Sequence, residues 1–272
     1  MHDAPGRLVL LGHPLGHTLS PAMQNAALVA AGITLRYEPL DIPRSVLDET
    51  IAGLRRQRAA GNVTTPHKVA LANACDRLTE TAKKVGAVNT FWTAIDGALV
   101  GDNTDVGGFD AAVDALLGSH RPRERVAILG AGGAAAAVLH AIERWEGAEV
   151  SLYSRTQRRA EELLDRFAVK STIARDAERA VEEATLVVNA TPVGLKDDTV
   201  PVSVHALAKD AAVLDLAYRV NETVFVKDAR ARGHRAQDGL TMLVEQGALA
   251  FERWFNTAPD RDAMWNAIRA LR

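Results

Sequence analysis

The stretch VAILGAGGAAAAVLHAI, Val126–Ile142, decides the fold. It opens on a short apolar run of the kind that forms a buried strand and closes on an alanine-rich run suited to a helix. Between them, Gly130-Ala131-Gly132-Gly133-Ala134-Ala135 has the G-x-G-x-x-G/A spacing. Gly130 permits a tight turn, Gly132 lets an anion approach the backbone, and small Ala135 keeps helix and strand close. A pyrophosphate would then rest on the helix N-terminus. The glycine pattern is weak alone, but in a strand–turn–helix setting it predicts a dinucleotide site.

The surrounding rhythm agrees. From Arg125 onward, the apolar runs RVAILG, EVSLYS, STIA, TLVVNA, AVLDLA and HRAQD alternate with helical or loop segments. Such alternation predicts a doubly wound, parallel α/β sheet of the Rossmann type. The end of its second strand chooses the dinucleotide. NAD sites usually carry an acid there, whereas this chain reads LYSRTQRRA, with Ser154, Arg155, Thr156, Arg158 and Arg159. Thr156 is placed to cap the next helix, leaving two arginines in its positive first turn. Guanidinium groups crowd such a helix end unless an anion joins them, and a 2′-phosphate supplies one. The cofactor read from these residues is NADP.

Upstream lies a second α/β unit. RLVLLG reads as a strand, and Ser20-Pro21 as the N-cap and first turn of a helix that stops at Gly32. LRYEPLDI and NVT read as further strands, with a helix from about Ser45 to Arg58 between them. Two more strands flank Asp96-Gly97, a hairpin signal. In GNVTTPHK, Thr65 is read as an N-cap and Pro66 as the first residue of a helix continuing through VALANACDRLTETAKK. That helix would hold Cys75 as a small buried residue. It also puts Lys68 in a first turn, where the backbone disfavours an ammonium. A lysine so placed suits proton exchange, and Asp105 in GDNTD is the acid that could hold it. Taken singly, Lys68 reads equally as a surface lysine and Asp105 as a helix cap.

The domain boundaries follow. Residues 1–105 form one domain, completed by C-terminal helices over about 241–272, and residues 106–240 form the nucleotide domain. GSHRPRE, at 118–124, is the linker within that crossing. A net charge of −2 over 272 residues gives no reason to expect nucleic acid or an anionic membrane surface as a partner. The single cysteine excludes an intramolecular disulfide framework, and no metal is called for. No apolar run approaches the ~18 residues of a membrane span, and the N-terminal residues lack the pattern of a secretory signal. The expected setting is soluble and cytoplasmic, as a monomer or homodimer. His13, His17 and His67 show no metal-ligand spacing and are assigned structural or solvent-facing roles.

Several motifs in order carry a resemblance: HTLSPAMQNAAL, NVTTPHK, GAVNT, GDNTD, GAGGAA, SRTQRRA, NATPVGL, DLAY and QDGLTMLVEQGALAFERW. With these the chain resembles the shikimate dehydrogenases over essentially its whole length. The resemblance implies NADP-linked interconversion of shikimate and 3-dehydroshikimate, in chorismate and aromatic amino-acid biosynthesis. It implies Lys68 and Asp105 as the catalytic pair. It implies substrate contacts from Thr18, Ser20, Asn62, Thr64, Asn89, Tyr218 and Gln246. For NADP it implies Gly130, Ala131, Gly132, Gly133, Ala134, Ser154, Arg155, Thr156 and Arg159, with Leu216 and Gly239 at the nicotinamide end. Substrate and cofactor residues thus come from different halves, which implies a cleft between them.

Three positions depart from the family. Thr18 stands where serine is common, Ser154 where asparagine is common, and Pro192 where serine is frequent. The added methyl of Thr18 leaves quinate open as a substrate. A quinate/shikimate dehydrogenase with relaxed cofactor use is therefore the nearest alternative, and a non-catalytic NADP-sensing module of the same fold is another.

Overall fold

The computed structural model describes residues 4–16, 18–118 and 123–271. His17 and residues 119–122 of the GSHRPRE linker lie outside them. The chain divides into two compact units, 1–108 with 243–272, and 109–242.

The first unit is built on a mixed six-stranded sheet. In chain order it contains β1 (Arg7–Gly12), α1 (Ser20–Ala30), β2 (Tyr37–Asp41), α2 (Leu47–Arg56), β3 (Ala59–Val63), α3 (Lys68–Ala74), β4 (Arg77–Leu78), α4 (Glu80–Val85), β5 (Thr90–Thr93) and β6 (Leu99–Asp102). The strand order is β2-β1-β3-β5-β6-β4, with β5 antiparallel to both its neighbours. Helix α2 shows why these residues form this layer. Leu47, Ile51 and Leu54 fall on one face and are buried, each worth about 2 kcal/mol. Asp48 and Glu49 open the helix and Arg55 and Arg56 close it, matching its dipole. Beneath lies a core that includes Val9, Leu11, Val63, Leu71, Val88 and Phe91.

Helix α5 (Asp105–Leu117) carries the chain into the second unit. There follow β7 (Arg125–Leu129), α6 (Gly133–Ile142), β8 (Glu149–Tyr153), α7 (Gln157–Leu164), β9 (Lys170–Ile173), α8 (Ala177–Val181), β10 (Leu186–Asn189), β11 (Ala212–Asp215), α9 (Val224–Ala231) and β12 (Ala236–Gln237). All six strands are parallel, in the order β12-β11-β10-β7-β8-β9. This is the doubly wound arrangement, and the glycine-rich turn follows its central strand β7. The chain returns through α10 (Leu240–Phe255) and α11 (Arg261–Arg269). In the first unit α11 packs along α1, and Trp254 stacks on Tyr37 with centroids 6.0 Å apart.

Local structure corrects several readings. The helix expected after Pro66 is broken. α3 ends at Ala74, Cys75 is extended, β4 intervenes, and α4 starts afresh at Glu80. Two side chains impose the break. Asp76 Oδ2 accepts the Leu99 N–H at 2.6 Å, and Thr79 caps α4 by accepting from the Ala82 N–H. Cys75 is half-buried off the helix end, and burial pushes its thiol up to about 12. Thr65 is not an N-cap. The Thr65–Pro66 bond is cis, the His67 N–H donates to Thr64 O at 2.9 Å, and α3 begins at Lys68. That is a tight turn with cis-proline at its third position. Ser20 likewise lies inside α1, and the oxygen that meets its N–H is Thr18 Oγ1, at 3.3 Å.

In the β1–β3 pairing Val9 faces Gly61, and a Cβ on Gly61 would stand 1.9 Å from Val9 O. Backbone cannot swing aside as a side chain can. Gly61→Ala is therefore expected to cost about 3 kcal/mol or more in urea unfolding. An unchanged midpoint would refute the close approach.

Candidate functional site

In the first unit the candidate side chains gather at strand ends and on helix starts. Lys68 is the first residue of α3 and Asp105 the first of α5. Lys68 Nζ donates to Asp105 Oδ2 at 2.6 Å. The two side chains are only 20% and 7% exposed, so solvent screens this pair little. The other oxygen, Asp105 Oδ1, accepts from Asn89 Nδ2 at 2.8 Å. The carboxylate is thereby held edge-on between an amide and an amine.

Asn89 binds more than Asp105. Its Nδ2 also lies 2.9 Å from Thr104 Oγ1 and 3.1 Å from Gln246 Oε1, and its Oδ1 accepts from the Thr104 N–H at 2.7 Å. Gln246 sits on α10, so the chain's end meets the GDNTD loop here. Asn62 is the next ring outward. Its Nδ2 donates to Asn89 O at 3.1 Å, and its Oδ1 accepts from Tyr37 Oη at 2.8 Å. Thr64, just past β3, donates its N–H to Leu11 O at 2.8 Å. Thr18 is half-buried and Ser20 buried at the opening of α1. Lys68, Asp105, Asn89, Asn62 and Gln246 are thus joined by short steps of hydrogen bonding. The side chains of Thr18, Ser20 and Thr64 stand outside that chain of bonds.

Two histidines near the pair have structural partners. His67 is fully buried, with Nε2 2.8 Å from Ile42 O. His13 is half-exposed and pairs with Asp41 at 2.6 Å. The Leu15 N–H, and secondly His13, hold the Asp41 carboxyl below its usual range. Among the described residues no cluster of His, Cys, Asp and Glu could hold a metal.

The second unit offers the cradle expected of a dinucleotide fold. Gly130 has φ +111°, which L side chains rarely adopt, and Gly132 has no atom within 4 Å of where a Cβ would stand. Ala131, Gly133 and Ala134 are half-buried beside that open space, at the start of α6, while Ala135 is buried. Thr156 occupies the N-cap position of α7, although its hydroxyl makes no cap, and its N–H meets Ser154 Oγ at 3.4 Å. Of the three arginines, Arg158 is neutralised by Glu162 at 2.7 Å. Among the described residues neither Arg155 nor Arg159 has a side-chain partner, and both are exposed. Two unpaired guanidinium groups beside an open glycine turn fit a phosphorylated dinucleotide. Leu216 and Gly239 meet where the Gly239 N–H donates to Ala217 O at 3.1 Å; Tyr218, two residues past Leu216, is half-buried.

Sequence reasoning passed over several supporting residues. Asp102 is 2% exposed and its carboxylate takes Thr79 Oγ1, the Asn103 N–H and Arg253 Nε. Asn103 Oδ1 accepts the Asp105 N–H at 3.1 Å. In the second unit Asn189 and Asp215 pair at 2.8 Å inside NATPVG and DLAY. For Asp102, Asn189 and Asp215 the available signal was the same: a polar residue ending a short buried strand.

Three family models match the chain. The shikimate dehydrogenase substrate binding domain covers residues 10–91, the shikimate 5'-dehydrogenase C-terminal domain covers 239–269, and a coenzyme F420-dependent NADP oxidoreductase family covers 125–219. A shikimate dehydrogenase (NADP(+)) of Thermus thermophilus is 40% identical over 265 residues, covering 97% of both chains. Among solved structures, shikimate 5-dehydrogenase from Thermus thermophilus, in complex with NADP(H) and shikimate, superposes with TM-score 0.88 at 38% identity, over 98% of this chain and 99% of that one. Quinate dehydrogenase from Corynebacterium glutamicum, in complex with NAD, also gives TM-score 0.88, at 30% identity, over 98% and 100%.

The Asp102–Arg253 contact ties α10 to the loop carrying Asp105. Arg253→Leu removes one charge-assisted donor from a buried carboxylate and is expected to cost about 2 kcal/mol in urea unfolding. No loss would mean that Thr79 and Asn103 suffice to hold Asp102.

Proposed function

The chain belongs to the shikimate dehydrogenase family, and we propose that it reversibly reduces 3-dehydroshikimate to shikimate with NADPH, Lys68 moving the proton and Asp105 assisting it. The observation that carries this reading is the 2.6 Å contact of Lys68 Nζ with Asp105 Oδ2, behind which Asn89 and Gln246 close the network.

NADPH, when bound, supplies the hydride for reduction, and NADP accepts it in the reverse direction. Gly130, Ala131, Gly132, Gly133 and Ala134 would hold its pyrophosphate, and Leu216 and Gly239 its nicotinamide end. Ser154, Arg155, Thr156 and Arg159 would hold the adenosine end, the two arginines meeting the 2′-phosphate. In reduction, the Lys68 ammonium gives a proton to the oxygen developing at C3. In oxidation, neutral Lys68 takes the C3 hydroxyl proton. Asp105 keeps Nζ aimed through one oxygen while Asn89 fixes the other, so little reorientation is needed when charge moves. Thr18, Ser20, Asn62, Thr64, Asn89, Tyr218 and Gln246 supply the neutral hydrogen-bonding groups that a small polyhydroxylated acid requires. This activity belongs to chorismate and aromatic amino-acid biosynthesis.

The second reading is a quinate/shikimate dehydrogenase. It is favoured by Thr18, whose methyl group alters the expected carboxylate-binding pair, and by the likeness to a quinate dehydrogenase. Turnover measured with shikimate and quinate, each with NADP and NAD, separates the two. Shikimate with NADP is expected to lead, and better turnover of quinate with NAD would reject the assignment.

Lys68→Ala is expected to lower kcat by about 10³-fold while NADP affinity stays within about twofold of native. Full activity in that variant would exclude the acid–base role. In the same assay Arg155→Ala should raise KM for NADP far more than for NAD. Equal weakening of both would remove the 2′-phosphate assignment.

A further inference from the structure

Asp215 is a fully buried carboxylate at the C-terminal end of β11, and proton transfer at Lys68 does not use it. It accepts from Asn189 Nδ2 at 2.8 Å, from Thr223 Oγ1 at 2.8 Å and from the Ala217 N–H at 3.0 Å. Among the described residues no cation pairs with it, and the charged group acting on it is another carboxylate, Asp238.

Its partners reach outward in two directions. Asn189 Oδ1 accepts from Thr191 Oγ1 at 2.6 Å and from the Thr191 N–H at 3.1 Å. The Thr191 methyl lies against Gly130, 3.0 Å from where a Cβ would stand. On the other side Asn189 O accepts the Leu216 N–H at 2.9 Å, and Ala217 O accepts the Gly239 N–H at 3.1 Å. One carboxylate therefore ties together the ends of β7, β10 and β11 and the turn after β12. In a parallel sheet those carboxyl ends are where a dinucleotide lies.

We propose that Asp215 is a positioning residue for the nicotinamide end of the cofactor site, its ionised form fixing the edge made by Thr191, Leu216 and Gly239. This rests on the NADP reading given above. An ionised carboxylate only accepts, and three donors converge on it. Protonation places a fourth hydrogen among those donors, so either the Thr223 hydroxyl gives up its donation and turns to accept, or one of the three bonds yields. Burial pushes Asp215 up to about 6, Asp238 adds to that push, and the hydrogen bonds from Thr223, Ala217 and Asn189 oppose it. The change thus falls in a range where binding can be measured.

The test is calorimetric titration of the full chain with NADP and with 2′-phospho-ADP-ribose, between about pH 7.5 and 5.5, a span that brackets the midpoint of the Asp215 titration. Both ligands carry the 2′-phosphate and the pyrophosphate, so the titration of the phosphate groups cancels in the ratio of affinities, and only NADP carries a nicotinamide. The ratio is expected to fall about threefold across that span: the protonated form loses one charge-assisted hydrogen bond, about tenfold in affinity, while about a quarter of Asp215 is still ionised at the lower pH. The Asp215 carboxyl carbon resonance should titrate with the same midpoint. In Asp215→Asn the ratio should be low and independent of pH. A flat ratio in the native chain would overturn the proposal, as would Asp215→Asn keeping the native ratio and slope. The native ratio and the carboxyl resonance decide the matter even where that variant fails to fold. Absence of any binding by 2′-phospho-ADP-ribose would instead overturn the NADP reading, and this proposal with it.

Discussion

Asn89 has two amide hydrogens and three acceptors around them: Thr104 Oγ1, Asp105 Oδ1 and Gln246 Oε1. Its own oxygen is taken by the Thr104 N–H. A side chain 2% exposed and so fully engaged has one orientation, because any rotation would strand a buried polar atom at about 1–3 kcal/mol. That single orientation decides which Asp105 oxygen is free for Lys68. It also decides where α10 ends up against the GDNTD loop. Tyr37 and Asn62 brace the arrangement from β2 and β3, through bonds of 2.8 and 3.1 Å. The network is costly if half-made and rigid if complete, so the Lys68–Asp105 contact has a fixed surround.

The second unit repeats this device without the cation. Asn189 stands at the end of β10 and donates Nδ2 to Asp215 at 2.8 Å, the same distance at which Asn89 meets Asp105. The difference is electrostatic. Asp105 faces an amine and can share charge with it. Asp215 faces only neutral donors and a second carboxylate, and burial raises it to about 6. One aspartate is paired with a cation and the other holds loops together through neutral donors. Local polarity separates their roles, since both lie beside an asparagine at a strand end.

The parallel sheet was legible because β7, β10 and β11 are apolar runs buried over most or all of their length, and the glycine turn fell where its spacing placed it. The pair Lys68–Asp105 was legible through motif resemblance, since 37 residues separate them and no local rule joins them. The break between α3 and α4 was not, although Thr79-Glu80 is a cap signal. Helix-forming residues on both sides masked it, and the decisive bond, from the Leu99 N–H to Asp76, is long-range. The reason offered for Lys68 also changes. α3 spans only seven residues and starts on the lysine itself. Its dipole is a lesser influence than the carboxylate at 2.6 Å.

The arginine cluster and the Lys68–Asp105 pair differ in how far water enters them. Arg155 and Arg159 are exposed, and at physiological salt a charge is screened beyond about 8 Å. They can act on an anion only by direct contact, through the planar fork of the guanidinium. Discrimination by a phosphate there is therefore short-ranged, depends on ionic strength and is confined to the end of β8. Lys68 and Asp105 are shielded, and Asn89 holds the acid from the side away from the lysine. Their coupling is set by packing and hydrogen bonds, which salt scarcely alters. Substitutions at the exposed arginines thus leave the Lys68–Asp105 contact undisturbed.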